Sequence, residues 1–205
     1  MLASAIQIEI VTIIIVLGEA GVSIFAGIQA HSTALIAFGA DSVIELITAA
    51  FLLWRFIVQR RSTSDESIKS TEKIASWVAA FSLAALSIYI VVESGYNIWN
   101  GEKPESSQLG IVVSIFAVII MPYLAMKKRK IAITLNSPAM KADAACSMAC
   151  AYMAGAMLTG LIINAISGWG WIDSVVSLAF LYWLLPETKE AFEGAKKGEL
   201  TCECD

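Results

Sequence analysis

Long apolar runs separated by short polar stretches dominate this chain. Six runs stand out, at residues 6–26, 33–56, 74–98, 109–126, 139–163 and 171–185. Each is close to the ~20 residues a helix needs to cross a hydrocarbon core of ~30 Å. They are too long and too continuous for barrel strands, and only helices or closed barrels satisfy the backbone within lipid. The pattern therefore predicts an all-α integral membrane protein with six transmembrane helices. Turn signals fall between runs, at Asn100-Gly101, Lys103-Pro104 and Gly168-Trp169-Gly170. Pro122 lies inside the fourth run, where it removes a backbone donor and predicts a kink. No internal repeat is visible. Small residues such as Ala151 and Gly155 suit close helix packing.

Composition supports this class. The chain is 58% hydrophobic and only 16% charged, against about a quarter charged in soluble domains. The net charge of −4 says little, but the placement of charge says more. Basic residues gather at 55–73, at 127–141 and at 189–197, while Lys103 alone falls on the opposite side. By the positive-inside rule the basic side is cytoplasmic, which puts both termini there. The run Lys127-Lys128-Arg129-Lys130 reads as a topology signal in contact with anionic lipid. The expected organisation is a membrane domain over residues 1–195 and a short cytoplasmic tail over 196–205, in the cell (inner) membrane. Outer loops at 27–32, 100–108 and 167–170 leave no room for an external domain. The first basic residue is Arg55, so no cleavable signal is expected. Basic residues at helix ends do not form a nucleic-acid face.

Acids inside the runs carry the chemistry. Glu9, Glu19, Asp41, Glu45, Glu93, Asp143 and Asp173 lie in or at the edge of predicted spans, and none of these spans holds a deep Lys or Arg. Glu9 and Asp173 sit near ends, where water or a helix cap accounts for them, and Glu93 near the outer end of its span suits solvation. Asp41 and Glu45 lie deep and four residues apart, hence on one helix face. Ionised and unpaired, such groups carry a large desolvation cost, so protons, water or a bound cation must accompany them. Cys146 and Cys150 form a second pair with the same spacing. With a rise of ~1.5 Å per residue, Asp41 and Glu45 lie roughly 12 and 18 Å below the outer edge. Cys146 and Cys150 lie roughly 11 and 17 Å above the inner edge. The pairs meet near mid-membrane, Glu45 beside Cys146 and Asp41 beside Cys150. Two carboxylates and two thiols make a plausible four-coordinate site for Zn²⁺ or a softer ion such as Cd²⁺ or Hg²⁺. Asp143 and Glu19 are candidates for an access path or a proton-linked role, Asp143 equally for a helix-dipole partner. His31 reads as a surface residue. Cys202 and Cys204 flank Glu203 in the tail and suit either a loose soft-metal contact or a mobile end. No cysteine falls in a predicted outer segment, which argues against a disulfide framework.

These residues resemble the cation diffusion facilitator family. The likeness runs from about Gly18 to Ala195, through Ser32-Thr33-Ala34-Leu35 leading to Asp41-Ser42-Val43-Ile44-Glu45, through Lys141-Ala142-Asp143 leading to position 150, and through Gly170-Trp171-Ile172-Asp173. Family members pair D-x-x-x-D in the second span with H-x-x-x-D in the fifth. The resemblance implies Asp41, Glu45, Cys146 and Cys150 as ligands of a transported ion, commonly Zn²⁺, exchanged for protons by a homodimer. Here cysteines stand where the family has His and Asp, which leans toward thiophilic metals. The loop before the fifth span is basic rather than His-rich, and the family's cytoplasmic domain after the sixth span is not expected.

The resulting expectation is a secondary transporter exporting divalent transition metals in exchange for protons, with metal ion, protons and lipid as partners and no prosthetic group. It is not expected to be an enzyme. Two other classes fit part of the pattern. A membrane thiol oxidoreductase would use Cys146 and Cys150 and have no need of Asp41 or Glu45. A non-transporting metal-binding subunit would bind ions saturably without moving them.

Overall fold

A computed structural model describes residues 2–30, 33–61, 65–101, 108–167 and 172–197. They form six helices: α1 (Leu2–Ala30), α2 (Thr33–Arg61), α3 (Asp65–Asn100), α4 (Gln108–Leu135), α5 (Pro138–Ser167) and α6 (Ile172–Lys197). No strand occurs among the described residues. Leu2–Gln29, Glu66–Asn100 and Gln108–Leu135 are long and apolar enough to cross a membrane by length and composition. His31, Cys202 and Cys204 lie outside the described residues, as does the side chain of Asp173.

Burial runs inside out compared with a soluble bundle. The interior mixes Ala, Ser, Thr and acids with larger side chains such as Phe56, Leu83 and Met121, while Ile14, Leu17, Phe25, Ile88, Val92, Val112, Ile119 and Tyr182 point outward. Lipid tails are as apolar as leucine, so nothing drives large apolar side chains inward in a bilayer, and small residues are free to line the helix contacts. α5 shows the consequence. Its buried face includes Ala142, Ala145, Ala149 and Ala154, and these short side chains let it pack against α2, α3, α4 and α6 together. α1 and α2 form the other extensive pair. They approach so closely that a Cβ placed on Gly39 would stand 3.1 Å from the Ile24 nitrogen, and one on Gly27 2.8 Å from the Ile36 nitrogen.

The helices outrun the apolar stretches that predict them. α4 continues through Lys127–Lys130 to Leu135, so this basic run is helical rather than a connecting loop. The turn into α5 is only two residues long. Asn136 takes a left-handed conformation with φ 48°, and the Ser137 amide donates to the Ala132 carbonyl at 3.0 Å, which closes the end of α4. Ser137 then caps α5: its Oγ accepts from the Met140 amide at 3.2 Å, and Pro138 fills the first helical position. Glu72 of α3 reinforces this cap by accepting from the Ser137 hydroxyl at 2.7 Å and the Ala139 amide at 3.1 Å. Its other oxygen pairs with Arg55 of α2. One end of α5 is thereby tied to α2 and α3, which fixes the height of every α5 side chain relative to α2. Pro122 lies within continuous α4, and a second internal proline, Pro186, within α6.

Two glycines on α1 and α2 should respond in opposite directions. Gly39→Ala forces Ile24 to move and should destabilise by about 1–3 kcal/mol. Gly21→Ala, where nothing lies within 4 Å of the new methyl, should be neutral or stabilise by up to ~1 kcal/mol through helix propensity. Unfolding of the purified variants in detergent against the parent protein checks both.

Candidate metal centre

The α1–α2 contact at Gly39 brings Glu19 of α1 to the same level as Asp41 and Ser42 of α2, and α5 delivers Cys150 to that level from the opposite side. The Cys150 thiol donates to Glu19 Oε1 at 3.2 Å, and Asp41 and Glu45 of α2 are its further acidic neighbours. The Ser42 hydroxyl donates to the Phe38 carbonyl at 3.1 Å. All of these side chains are buried. A thiol has one proton to give, so it serves one carboxylate at a time. Glu19 Oε2, Asp41 Oδ2 and Glu45 Oε2 are buried without a hydrogen-bond partner. Buried acceptors left unmade are costly, and these three carboxyl oxygens are open to a cation or to protons.

Below this level lies a second polar group. Lys128 of α4 is fully enclosed. Its ammonium bonds Asp143 Oδ2 at 2.5 Å and the Ser147 hydroxyl at 3.0 Å, both on α5, and stands 3.7 Å from Glu9 Oε2 of α1. Ser147 in turn donates to Glu45 Oε1. Contacts thus join Glu9, Lys128, Asp143, Ser147 and Glu45 in one group and Cys150 with Glu19 in another, with Asp41 buried beside the second.

Several expectations change. The buried acids do have an internal cation, Lys128, although its place in a run of four basic residues reads as interfacial. Glu9 does not reach water; it is fully buried beside that ammonium. Asp143 is ion-paired rather than open on an access path. A signal for Lys128 exists in the sequence: it continues the buried stripe Met121, Leu124, Ala125, Lys128, Ala132 at helical spacing.

The four expected ligands are not all brought together. Asp41 and Glu45 are buried neighbours of Cys150. Cys146 packs one turn away, in a separate cluster with Ala79, Leu83 and Leu86 of α3 and Leu184 of α6, while Cys150 packs with Val16, Phe38 and Met121. Glu45 bonds to Ser147, the residue after Cys146. Among the described residues, no three His, Cys, Asp or Glu side chains stand in coordinating geometry. Glu93 is half-buried on α3.

Comparison with known proteins places the chain. The model for the cation efflux transmembrane domain matches residues 10–192. The chain belongs to the cation efflux family. It is similar to the metal cation efflux system protein CzcD of Cupriavidus metallidurans and to the cation efflux system protein CzcD of an Alcaligenes species. Each is 21% identical over 168 residues, which is 80% of this chain and 52% of the relative. The chain thus spans about half the length of the curated relatives it matches. Membership of the cation efflux family makes this a multi-pass helical membrane protein of a transporter family.

The lower cluster should act as a unit. Lys128→Met leaves Asp143 and Glu9 buried beside no counter-charge and should cost about 3–5 kcal/mol. Combined with Asp143→Leu, the loss should fall below the sum of the two single losses, as groups in one network do not add. A double-mutant cycle on detergent unfolding measures this coupling, and strict additivity would rule it out.

Proposed function

We propose that this chain is a metal-ion efflux transporter with six spans and both termini in the cytoplasm of a cell (inner) membrane. It exports a divalent transition metal in exchange for protons and works as a homodimer. The observation that carries this reading is the cluster of buried acids Glu19, Asp41 and Glu45 near the Cys150 thiol, with three buried carboxyl oxygens left without a partner. Asp41, Glu45, Cys150 and Cys146 are the ligands. Cys146 lies about 40° around α5 from Cys150, given 3.6 residues per turn. Rotation of α5 by that order completes the set and accompanies the change of access. Glu19 accepts the hydrogen of the Cys150 thiol and takes up that proton when the thiolate binds metal, and so serves as a proton-linked group. Thiolate and carboxylate ligands suit Zn²⁺ and, with two sulfurs, Cd²⁺ or Hg²⁺. Metal and protons compete because ligation requires deprotonated thiols and carboxylates. Raising pH on the loading side therefore favours metal binding, and acid on the release side favours discharge.

Purified protein in liposomes tests this directly. An acidic lumen should drive Zn²⁺ or Cd²⁺ uptake, and a protonophore should abolish that drive. Cys150→Ser should raise KM for Cd²⁺ by no less than the ~10–100-fold that loss of a mere ligand-supporting contact costs, and more than it does for Zn²⁺. Asp41→Asn and Glu45→Gln should raise KM for both metals. Full transport by all three variants would overturn the site. Saturable binding without uptake would point to a non-transporting subunit. Dithiol oxidation indifferent to Asp41→Asn would point to thiol redox chemistry.

A further inference from the structure

The lower cluster is adjacent to the proposed ligands without containing one, and its hydrogen-bond polarity has a consequence for Glu45. An ammonium only donates, and a serine hydroxyl has one hydrogen to give while its lone pairs accept. Lys128 Nζ stands 3.0 Å from Ser147 Oγ, so Ser147 accepts from Lys128. Its single hydrogen is therefore committed to Glu45 Oε1. Lys128 is itself held by Asp143 at 2.5 Å, and all four side chains are buried, so water does not compete for these bonds. One oxygen of Glu45 is thus occupied and the other, Oε2, is buried without a partner.

We propose that Ser147, oriented by Lys128, is a positioning residue that restricts Glu45 to one metal-binding oxygen and thereby sets the site's preference among metal ions. The proposal rests on the reading of Glu45 as a ligand. A carboxylate held through Oε1 offers only Oε2 and binds in monodentate fashion. Monodentate ligation suits a four-coordinate ion such as Zn²⁺. A larger ion that accepts higher coordination numbers gains from a carboxylate that offers both oxygens, as Ca²⁺ does in sites with a bidentate glutamate. Without the Ser147 hydroxyl, Glu45 is free to turn and offer both. The hydroxyl is needed for this role and the rest of the side chain is not, because the contact runs through Oγ alone.

The test uses the full chain in liposomes, with Zn²⁺ and Cd²⁺ as the paired ions and Ser147→Ala, Ser147→Thr and Glu45→Gln as variants. Ser147→Ala should shift the KM ratio of Zn²⁺ to Cd²⁺ toward the larger ion by about tenfold, the scale of a lost ligand-orienting hydrogen bond. Ser147→Thr keeps the hydroxyl and should restore the parent ratio, which a purely volumetric role of Ser147 would not produce. Titration of the same ions into detergent-purified protein should give matching affinity ratios. An unchanged ratio in Ser147→Ala, or failure of Ser147→Thr to restore it, overturns the proposal. If Glu45→Gln raises KM while Ser147→Ala leaves the ratio unchanged, the positioning role alone falls. If Glu45→Gln also leaves KM unchanged, Glu45 is not a ligand and both readings fall.

Discussion

One enclosed ammonium holds the centre of this bundle together. Lys128 comes from α4, Asp143 and Ser147 from α5, and Glu9 from α1, and each is buried. None of the charges is tolerable alone in an apolar interior, since an unpaired ion there is among the costliest features a membrane helix can carry. Each is therefore a condition for the others. A slip of one residue moves a side chain by ~1.5 Å along the axis and ~100° around it, far outside hydrogen-bond range. The ion pair thus locks the register of α4 against α5, and the Ser137–Glu72–Arg55 clamp does the same for α5 against α3 and α2. Between them these contacts decide which α5 side chains meet Asp41 and Glu45.

The balance between acids and the internal cation is where structure turns into function. Lys128 neutralises part of the lower cluster. Nothing of fixed positive charge reaches Glu19 and Asp41 by a contact among the described residues, and the Cys150 thiol is the donor to Glu19. A protein that needed only stability would have filled this space with apolar residues of similar volume, which is often neutral or stabilising. The unmatched acids instead demand mobile cations. On the proposed reading, protons and a metal ion are the two kinds that occupy this space in turn.

Much of this was legible in the sequence, and what was not has a physical explanation. Six helices and the membrane class follow from apolar runs, because run length and bilayer thickness are directly commensurate. Asp41 and Glu45 stand out because two acids at helical spacing in an apolar run have few innocent explanations. Cys150 follows from depth counting, which needs only the helical rise. Rotation about the axis is harder to read. Cys146 and Cys150 share a helix face in the loose sense, yet the difference of about 40° sends them into different packing clusters. Lys128 was hidden by its neighbours: Lys127, Arg129 and Lys130 reach outward and give the run the look of an interface, while the buried stripe of α4 passes through Lys128 alone. Glu9 was misplaced for the same reason. Its distance from the chain end suggested water, but Ala5, Glu9, Thr12 and Val16 form one inward stripe. The compact Asn136-Ser137-Pro138 turn carries capping chemistry that is readable in principle, although the basic residues around it drew attention to charge instead.

α5 joins these features because it is both the smoothest helix and the most tethered. Its alanine faces present few interlocking side chains to α2, α3, α4 and α6, so rotation about its axis meets little steric resistance. Its polar side chains do resist: Asp143 and Ser147 are bonded to Lys128, and Ser137 to Glu72. On the proposed reading, bringing Cys146 toward Asp41 and Glu45 turns α5 against these anchors. Strain of that kind falls on the bonds nearest the moving sulfurs: Cys150 to Glu19, made by a sulfur itself, and Ser147 to Glu45, one residue beyond Cys146. The contact that orients a metal ligand is then also a contact that registers the rotation of the helix. Ion preference and change of access would be set by the same hydroxyl group, for the simple reason that one turn of α5 carries both the bond and the thiol.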